Sequence, residues 1–169
     1  MKLAIVQCTL LIMLAVASCS VSTEQPESLG DDQQKLVEAT DFSQDAMLSR
    51  QGRMPILLLV SQHHCPFCAQ IKREILGPMV ISSEYKDRLL IREIYIDLGT
   101  RVRDFKGNLL DSSAFVLGYK TYLTPTLLFL DAEGNELTER IVGIQTPELF
   151  FFYVDRAVQE AIAAFPGNG

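Results

Sequence analysis

The chain has no tryptophan, no cluster of basic residues, no internal repeat and no low-complexity run. Acidic residues outnumber basic ones, 21 to 15, giving a formal charge of −6. An acidic chain without a basic stripe argues against nucleic acid as a partner. Cysteine is scarce, with residues only at 8, 19, 65 and 68. The apolar fraction is that of an ordinary globular protein, so disorder is not expected. The length suits one domain with a real core.

The first eighteen residues read as an export signal. Lys2 supplies a minimal positive end, and its loss with the segment leaves a net charge of −7. Leu3–Val6 and Leu10–Ala17 form an apolar region interrupted by Gln7-Cys8-Thr9, too short for a membrane-spanning helix and ending in small residues. The junction Val16-Ala17-Ser18-Cys19 resembles a bacterial lipobox, in which the cysteine becomes the acylated first residue. The expectation is a lipoprotein signal peptide over 1–18, an acylated Cys19, a flexible tether over 19–32 and a folded domain over 33–169. Cleavage near Ala17 with Cys19 as a spare thiol is the alternative. Acyl chains anchor because each buried methylene adds about 0.8 kcal/mol of membrane affinity. Ser20 after the cysteine leans, by resemblance, towards the outer membrane.

Cysteine use narrows accordingly. Cys8 leaves with the signal and Cys19 is blocked, so Cys65 and Cys68 are the remaining thiols. No structural disulfide between distant segments is then possible, despite an oxidising compartment. A close C-x-x-C serves either metal binding or redox exchange. Its setting favours redox: the apolar run Ile56–Val60 precedes it and a helix-like run Ala69–Leu76 follows.

Residues 33–39 form a short element, strand or helix. Asp41 is an N-cap for a helix over Phe42–Gln51, with Gly52 as its stop. Ile56–Val60 is a continuously apolar buried strand, expected to be parallel. Phe67, Ile71 and Ile75 recur at helical spacing over Cys65–Leu76, with Gly77-Pro78 as a stop. Met79–Tyr85 suggests a short second helix. Leu89–Ile96 alternates as a strand, with Leu89, Ile91, Glu93 and Tyr95 on one face. Residues 97–111 read as loop, and Ser112–Leu117 as a short helix ended by Gly118. Thr126–Leu130 is a buried strand. After the turn 131–135, Glu136–Val142 pairs back as an antiparallel edge. Thr146 caps a last helix with Pro147 at its first position, and this helix ends before Pro166-Gly167. The Phe150-Phe151-Phe152-Tyr153 cluster reads as packing. Crossover helices between buried strands imply parallel pairing and a mixed central sheet with helices on both faces.

Cys65-Pro66-Phe67-Cys68 after the first buried strand, Thr124-Pro125-Thr126 before a later one, and the closing strand pair and helix resemble the thioredoxin fold over roughly Asp41–Phe165. Within that superfamily the chain is most similar to periplasmic thioredoxin-like lipoproteins of the SoxW type. The stretches carrying this are Asp104-Phe105-Lys106-Gly107, Thr124–Asp131, Arg140-Ile141-Val142-Gly143 and Pro147-Glu148-Leu149-Phe150. Two departures stand out. His64 occupies the place of the tryptophan that ordinary thioredoxins carry before the first cysteine. Leu59 stands where they carry a buried aspartate, which removes the usual proton route to the second cysteine.

The resemblance implies a thiol:disulfide oxidoreductase with no cofactor beyond its own dithiol. Cys65, at the start of a helix, gains thiolate character from free N–H groups and the helix dipole, so it attacks and Cys68 resolves. Pro66 suits the first helical turn, His64 adds positive charge when protonated, and Phe67 covers the site surface. Pro125 is the expected cis-proline. Its bend frees the Thr124 backbone to pair with an extended substrate, and the Thr124 hydroxyl is placed to touch the sulfurs. Protein disulfides are the expected partners, with a membrane electron donor of the DsbD or CcdA type. The protein is expected to be a monomer on the periplasmic side of a bacterial membrane. Reductase is the favoured direction; a disulfide oxidase or a cytochrome c maturation thioredoxin is the enzymatic alternative. A metal-binding or assembly module is the non-enzymatic one. His63, His64, Cys65 and Cys68 make four zinc ligands by number, but four within six residues are cramped. Haem attachment fails because Ala69, not histidine, follows Cys68. Pro125 as an ordinary proline opening a strand is the plain alternative to a cis-proline.

Overall fold

The computed structural model describes residues 35–167. The expected signal peptide, Cys19 and the tether lie outside them. The described residues open with a two-residue strand, β1 (Val37–Glu38), which settles the element expected over 33–39 as strand. Helix α1 (Phe42–Gly52) follows, and the Asp41 carboxylate accepts from the N–H groups of Ser43 and Gln44 as its N-cap. Gly52 does not end it. Arg53 takes the left-handed position instead, at φ 51°.

Strand β2 (Ile56–Ser61) is buried at every residue. It lies between β3 (Leu90–Tyr95) on one side and β6 (Thr126–Leu130) on the other, and the sheet runs β1-β3-β2-β6-β7, with β7 at Ile141–Val142. Burial on both faces explains the unbroken apolar run, since neither side of β2 meets water. β1 and β2 both pair parallel with β3. β6 pairs antiparallel with both β2 and β7. Helix α4 (Ser112–Gly118) therefore does not make a parallel crossover, as its position between buried strands had suggested. It returns the chain across the sheet so that β6 runs against β2.

Helices cover both faces. Leu57, Leu59, Ile91, Leu127 and Phe129 pack against the segment after the cysteines and against α5 (Phe150–Ala164). Ile56, Leu58, Val60, Ile94 and Leu128 pack against Phe42 of α1 and Phe115 and Val116 of α4. The rings of Phe42 and Phe115 stack at 4.3 Å.

The helix after the cysteines differs from the expected Cys65–Leu76. Cys65 is its N-cap; α2 spans Pro66–Ile71, a π turn spans Lys72–Leu76, and α3 continues over Gly77–Ile81. Gly77-Pro78 does not stop it. A proline inside a helix removes one N–H and crowds the preceding turn, and the wider turn just upstream relieves that crowding. Its bond runs from the Gly77 N–H to the Lys72 carbonyl. The expected second helix over 79–85 is thus the tail of this one, followed by turns.

Residues 97–111 are not a plain loop. Strands β4 (Arg101–Arg103) and β5 (Leu109–Asp111) form an antiparallel hairpin, with Val102 buried between exposed arginines. Its turn, Asp104–Asn108, is built like the turn Asp131–Asn135. In each, one aspartate oxygen accepts from the N–H groups two and four residues on, and the asparagine amide donates to the other oxygen. Each turn needs a glycine at positive φ, 86° at Gly107 and 84° at Gly134. The expected edge strand Glu136–Val142 shrinks to Ile141–Val142 plus one bridge from Glu136 to Leu130. Arg140 explains the gap: it donates to the Tyr119 carbonyl (2.6 Å) and the Thr121 hydroxyl (2.9 Å) and pairs with Glu136, which draws the segment out of the ladder.

Gly118 stays within α4, and Lys120 is the residue at positive φ. Thr146 makes no side-chain cap; a 3₁₀ turn over Pro147–Leu149 leads into α5. Of the aromatic cluster, Phe150 is core, but Phe151 and Phe152 are exposed.

Candidate active site

The parallel strands β2 and β3 end together, Ser61 opposite Tyr95, and the antiparallel β6 begins at the same edge, Thr126 opposite Val60. This topology brings Gln62–Cys68 and Thr124-Pro125 to one edge of the sheet. The two loops are joined there: the Thr124 hydroxyl donates to the Gln62 side-chain oxygen at 2.8 Å. That bond, rather than a sulfur contact, is where the Thr124 hydroxyl points. The peptide bond Thr124–Pro125 is cis, and the Pro125 carbonyl accepts from the Gly143 N–H at 2.8 Å.

The cysteine loop is also tied to the segment just after β3. The His63 N–H donates to both carboxylate oxygens of Asp97, at 3.0 and 3.1 Å. His63 and His64 are exposed and meet edge to face, 4.5 Å between ring centres. His64 directly precedes Cys65.

Cys65 and Cys68 are joined as a disulfide. Cys65 is half-buried at the helix N-cap, where its sulfur accepts from the Cys68 N–H at 3.1 Å. No acidic residue occupies the first turn, so nothing opposes negative charge on that sulfur from within the helix. Pro66 takes the first helical turn, as its missing N–H allows. Cys68 is 1 % exposed. The two sulfurs are therefore unequal: one faces solvent and the other faces the core.

Exposed apolar side chains lie on both loops. Phe67, Tyr122 and Leu123 are all more than half exposed, at 60, 73 and 65 %. A shallow groove runs beside Pro125 between Tyr122, Leu123, Thr126, Arg140 and Val142.

One helical turn beyond Cys68 the structure holds charged groups not singled out from the sequence. Glu93 on β3 is buried, and its Cα is paired in register with Leu59. The Lys72 ammonium lies 2.9 Å from Glu93 Oε1 and donates to the Tyr95 hydroxyl at 3.0 Å. The contact to Glu93 is an ion pair off the hydrogen-bonding direction, so among the described residues Oε1 has no hydrogen-bond partner. Burial alone would push the Lys72 amine down, but Tyr95 and Glu93 outweigh it and hold it above the usual lysine value. Burial, aided by Glu93, pushes the Tyr95 hydroxyl up. The sequence carried a signal for this cluster. Glu93 shares its strand face with Ile91, and Lys72 follows Cys68 by four residues, one helical turn. Among the described residues no group of three or more His, Cys, Asp or Glu side chains is placed to hold a metal.

A mixed sheet flanked by helices, with a cysteine pair capping the helix after its central strand and a proline loop beside it, defines a protein of the thioredoxin fold. The family model of the thioredoxin-like domain matches residues 42–157, and the chain belongs to that family. Solved structures of similar fold include a poplar thioredoxin h mutant, 18 % identical, with a TM-score of 0.52 over 80 % of this chain and 92 % of that one. A DsbH oxidoreductase is 21 % identical, with a TM-score of 0.52 over 82 % of this chain and 95 % of that one. Mitochondrial thioredoxin 3 of Saccharomyces cerevisiae is 12 % identical, with a TM-score of 0.50 over 74 % and 94 %. At these identities the likeness is one of fold. No curated protein matches the chain in sequence.

Proposed function

We propose that the protein is a thiol:disulfide oxidoreductase that reduces disulfides in protein substrates. The observation that carries this reading is the inequality of its two sulfurs: Cys65 half-exposed at a helix N-cap, bonded to Cys68 in the core. In the reduced protein, the Cys65 thiolate attacks a substrate disulfide. One substrate sulfur leaves and takes up a proton, and a Cys65–substrate mixed disulfide forms. Cys68 then gives up its proton and attacks the Cys65 sulfur, the second substrate thiolate leaves, and the Cys65–Cys68 disulfide closes. Two electrons have passed from the dithiol to the substrate, and an external dithiol must return them. A membrane donor of the DsbD or CcdA type suits that task.

Thr124 and Pro125 form the substrate-facing loop, with the Thr124 backbone pairing with an extended segment. Phe67, Tyr122 and Leu123 give that segment an apolar rim, and His64 adds charge beside Cys65 when protonated. In cells the domain is tethered through acylated Cys19 on the periplasmic side, as in the SoxW-type lipoproteins it resembles.

The Cys68→Ala variant tests the function. It should accumulate mixed disulfides through Cys65 with exported proteins, which thiol reductants release. Absence of any trapped species that also requires Cys65 sinks the reading. Direction is tested by the reduction potential: a value near that of thioredoxin, about −270 mV, supports a reductase, and one near that of DsbA, about −120 mV, overturns it. Labelling with a radioactive fatty acid should be lost in Cys19→Ser.

A further inference from the structure

Cys68 is buried, and its resolving attack requires its thiol proton to go somewhere. Leu59, fully buried on β2, offers no acceptor. The neighbouring strand does. Glu93 pairs in register with Leu59 and shares its apolar face, where it is 4 % exposed and Oε1 accepts no hydrogen bond among the described residues. Its ion-pair partner, Lys72, stands one helical turn beyond Cys68 on the same side of the helix. A carboxylate is rarely kept in a core unless paired or used.

We infer that Glu93, held in place by Lys72, accepts the Cys68 thiol proton during the resolving step, and that Lys72 stabilises the thiolate so formed. This rests on the dithiol chemistry proposed above. Before transfer the cluster holds Cys68–SH, Glu93 carboxylate and Lys72 ammonium. After it, the cluster holds Cys68 thiolate, protonated Glu93 and Lys72 ammonium. The local charge is zero in both states, so the proton moves without leaving a net charge in the core. The thiolate then displaces the substrate sulfur from Cys65, and Glu93 returns its proton to solvent. The groups that the ion pair and the strand register bring together here are Lys72, one turn beyond Cys68, Glu93 and Tyr95 on β3, and apolar Leu59 on β2. Tyr95 accepts a hydrogen bond from Lys72 and so positions it. The tilt of Lys72 towards its protonated form agrees with a fixed cation here.

The test separates the two steps of exchange on the reduced full chain. With 5,5′-dithiobis(2-nitrobenzoate) as the disulfide, Cys65 attack releases one thionitrobenzoate and Cys68 attack releases the second. In Glu93→Gln, the second release should slow by about 100-fold near neutral pH, the scale of general base catalysis. Its pH profile should shift to higher pH, and the first release should change little. Glu93→Asp should restore part of the rate. Lys72→Met should slow the same phase. If Glu93→Gln does not fold, the double variant Lys72→Met/Glu93→Gln, which removes both charges, carries the same test. A second phase with wild-type rate and pH profile in either variant overturns the inference. Failure to trap protein substrates in Cys68→Ala overturns the proposed function instead, and leaves this two-phase result standing.

Discussion

Replacing Lys72 by methionine strips the counter-ion from a buried carboxylate while keeping the length of the side chain. The Glu93 side chain is 5 % exposed and that of Lys72 30 %. Removing one partner of a buried ion pair costs about 3–5 kcal/mol. Two features place this case at the low end. Water already reaches part of Lys72, and the Tyr95 hydroxyl, released from it, is free to turn and donate to Glu93. The expected loss is about 3 kcal/mol in urea unfolding of the oxidised protein near neutral pH, seen as a lower midpoint at unchanged slope. The double variant Lys72→Met/Glu93→Leu removes both charges and adds apolar surface beside Leu59 and Ile91. It should recover to within about 1 kcal/mol of wild type, because apolar pairs replace buried ion pairs at little cost. A pH series adds an independent check. The folded Lys72 amine sits above its unfolded value. The stability it lends is therefore complete below the ordinary lysine value, about 10.4, and is lost as pH rises through the higher folded value. Wild type should weaken over that alkaline window, and Lys72→Met should show a shallower slope, the remainder coming from the buried tyrosine hydroxyls whose values are also pushed up. A single variant as stable as wild type, or a double variant as weak as the single, would refute the reasoning.

The other expectations are simpler. Arg92 holds buried Asp45 at 2.7 Å on the opposite sheet face; Arg92→Met should cost about 3–5 kcal/mol in urea unfolding and leave both phases of disulfide exchange unchanged. Asp41→Ala removes the cap of α1 and should cost about 1 kcal/mol. The Ser43 hydroxyl and the N–H groups it caps hold the Asp41 carboxyl below its usual value. That contribution is present above the unfolded carboxyl value, about 3.9, and fades as pH falls through the lower folded one; acid titration of Asp41→Ala against wild type checks it. Gly134→Ala should cost about 1–3 kcal/mol, because it forces positive φ on a residue with a side chain and drives its Cβ to 2.5 Å from Phe105; thermal unfolding reads it. A loss below the error of the measurement would place the strain elsewhere.

The parts of the fold that were legible in the sequence are those set by burial on two sides. β2 and β6 stand out because all but one residue of each is apolar, and α1 because Asp41 announces it. The cysteine pair and Thr124-Pro125 were visible as motifs, and the sheet edge that joins them follows from β2 and β6 being neighbours. What escaped was decided by tertiary contacts. The β4–β5 hairpin has three-residue strands with a single buried side chain, Val102, too little periodicity to register. β7 is short because Arg140 reaches out of the ladder to Tyr119 and Thr121. Gly77-Pro78 looked like a stop because local rules do not foresee a π turn upstream. Glu93 was placed on the correct strand face, yet its meaning needed Lys72, twenty-one residues away in sequence, to be brought beside it.

That π turn has a consequence for how this protein can change. Each α-helical residue advances about 100° around its axis, so a widened turn takes up one extra residue while keeping the two halves of the helix in phase. Upstream, the phase is set by chemistry, with Cys65 at the end, Cys68 inward and Lys72 at Glu93. Downstream it is set by packing, with Leu76 and Met79 sealed in the core. Deleting one residue between Arg73 and Leu76 would let that turn wind as α-helix with the two halves still in phase, whereas inserting one would rotate one half against the other by about 100°. Either Met79 leaves the core or the thiol and its neighbouring charges swing out of line. Length is therefore locked against insertion in this helix in a way it is not in the surface hairpin Arg101–Asp111, and one-residue insertions should be survivable there while being lost here.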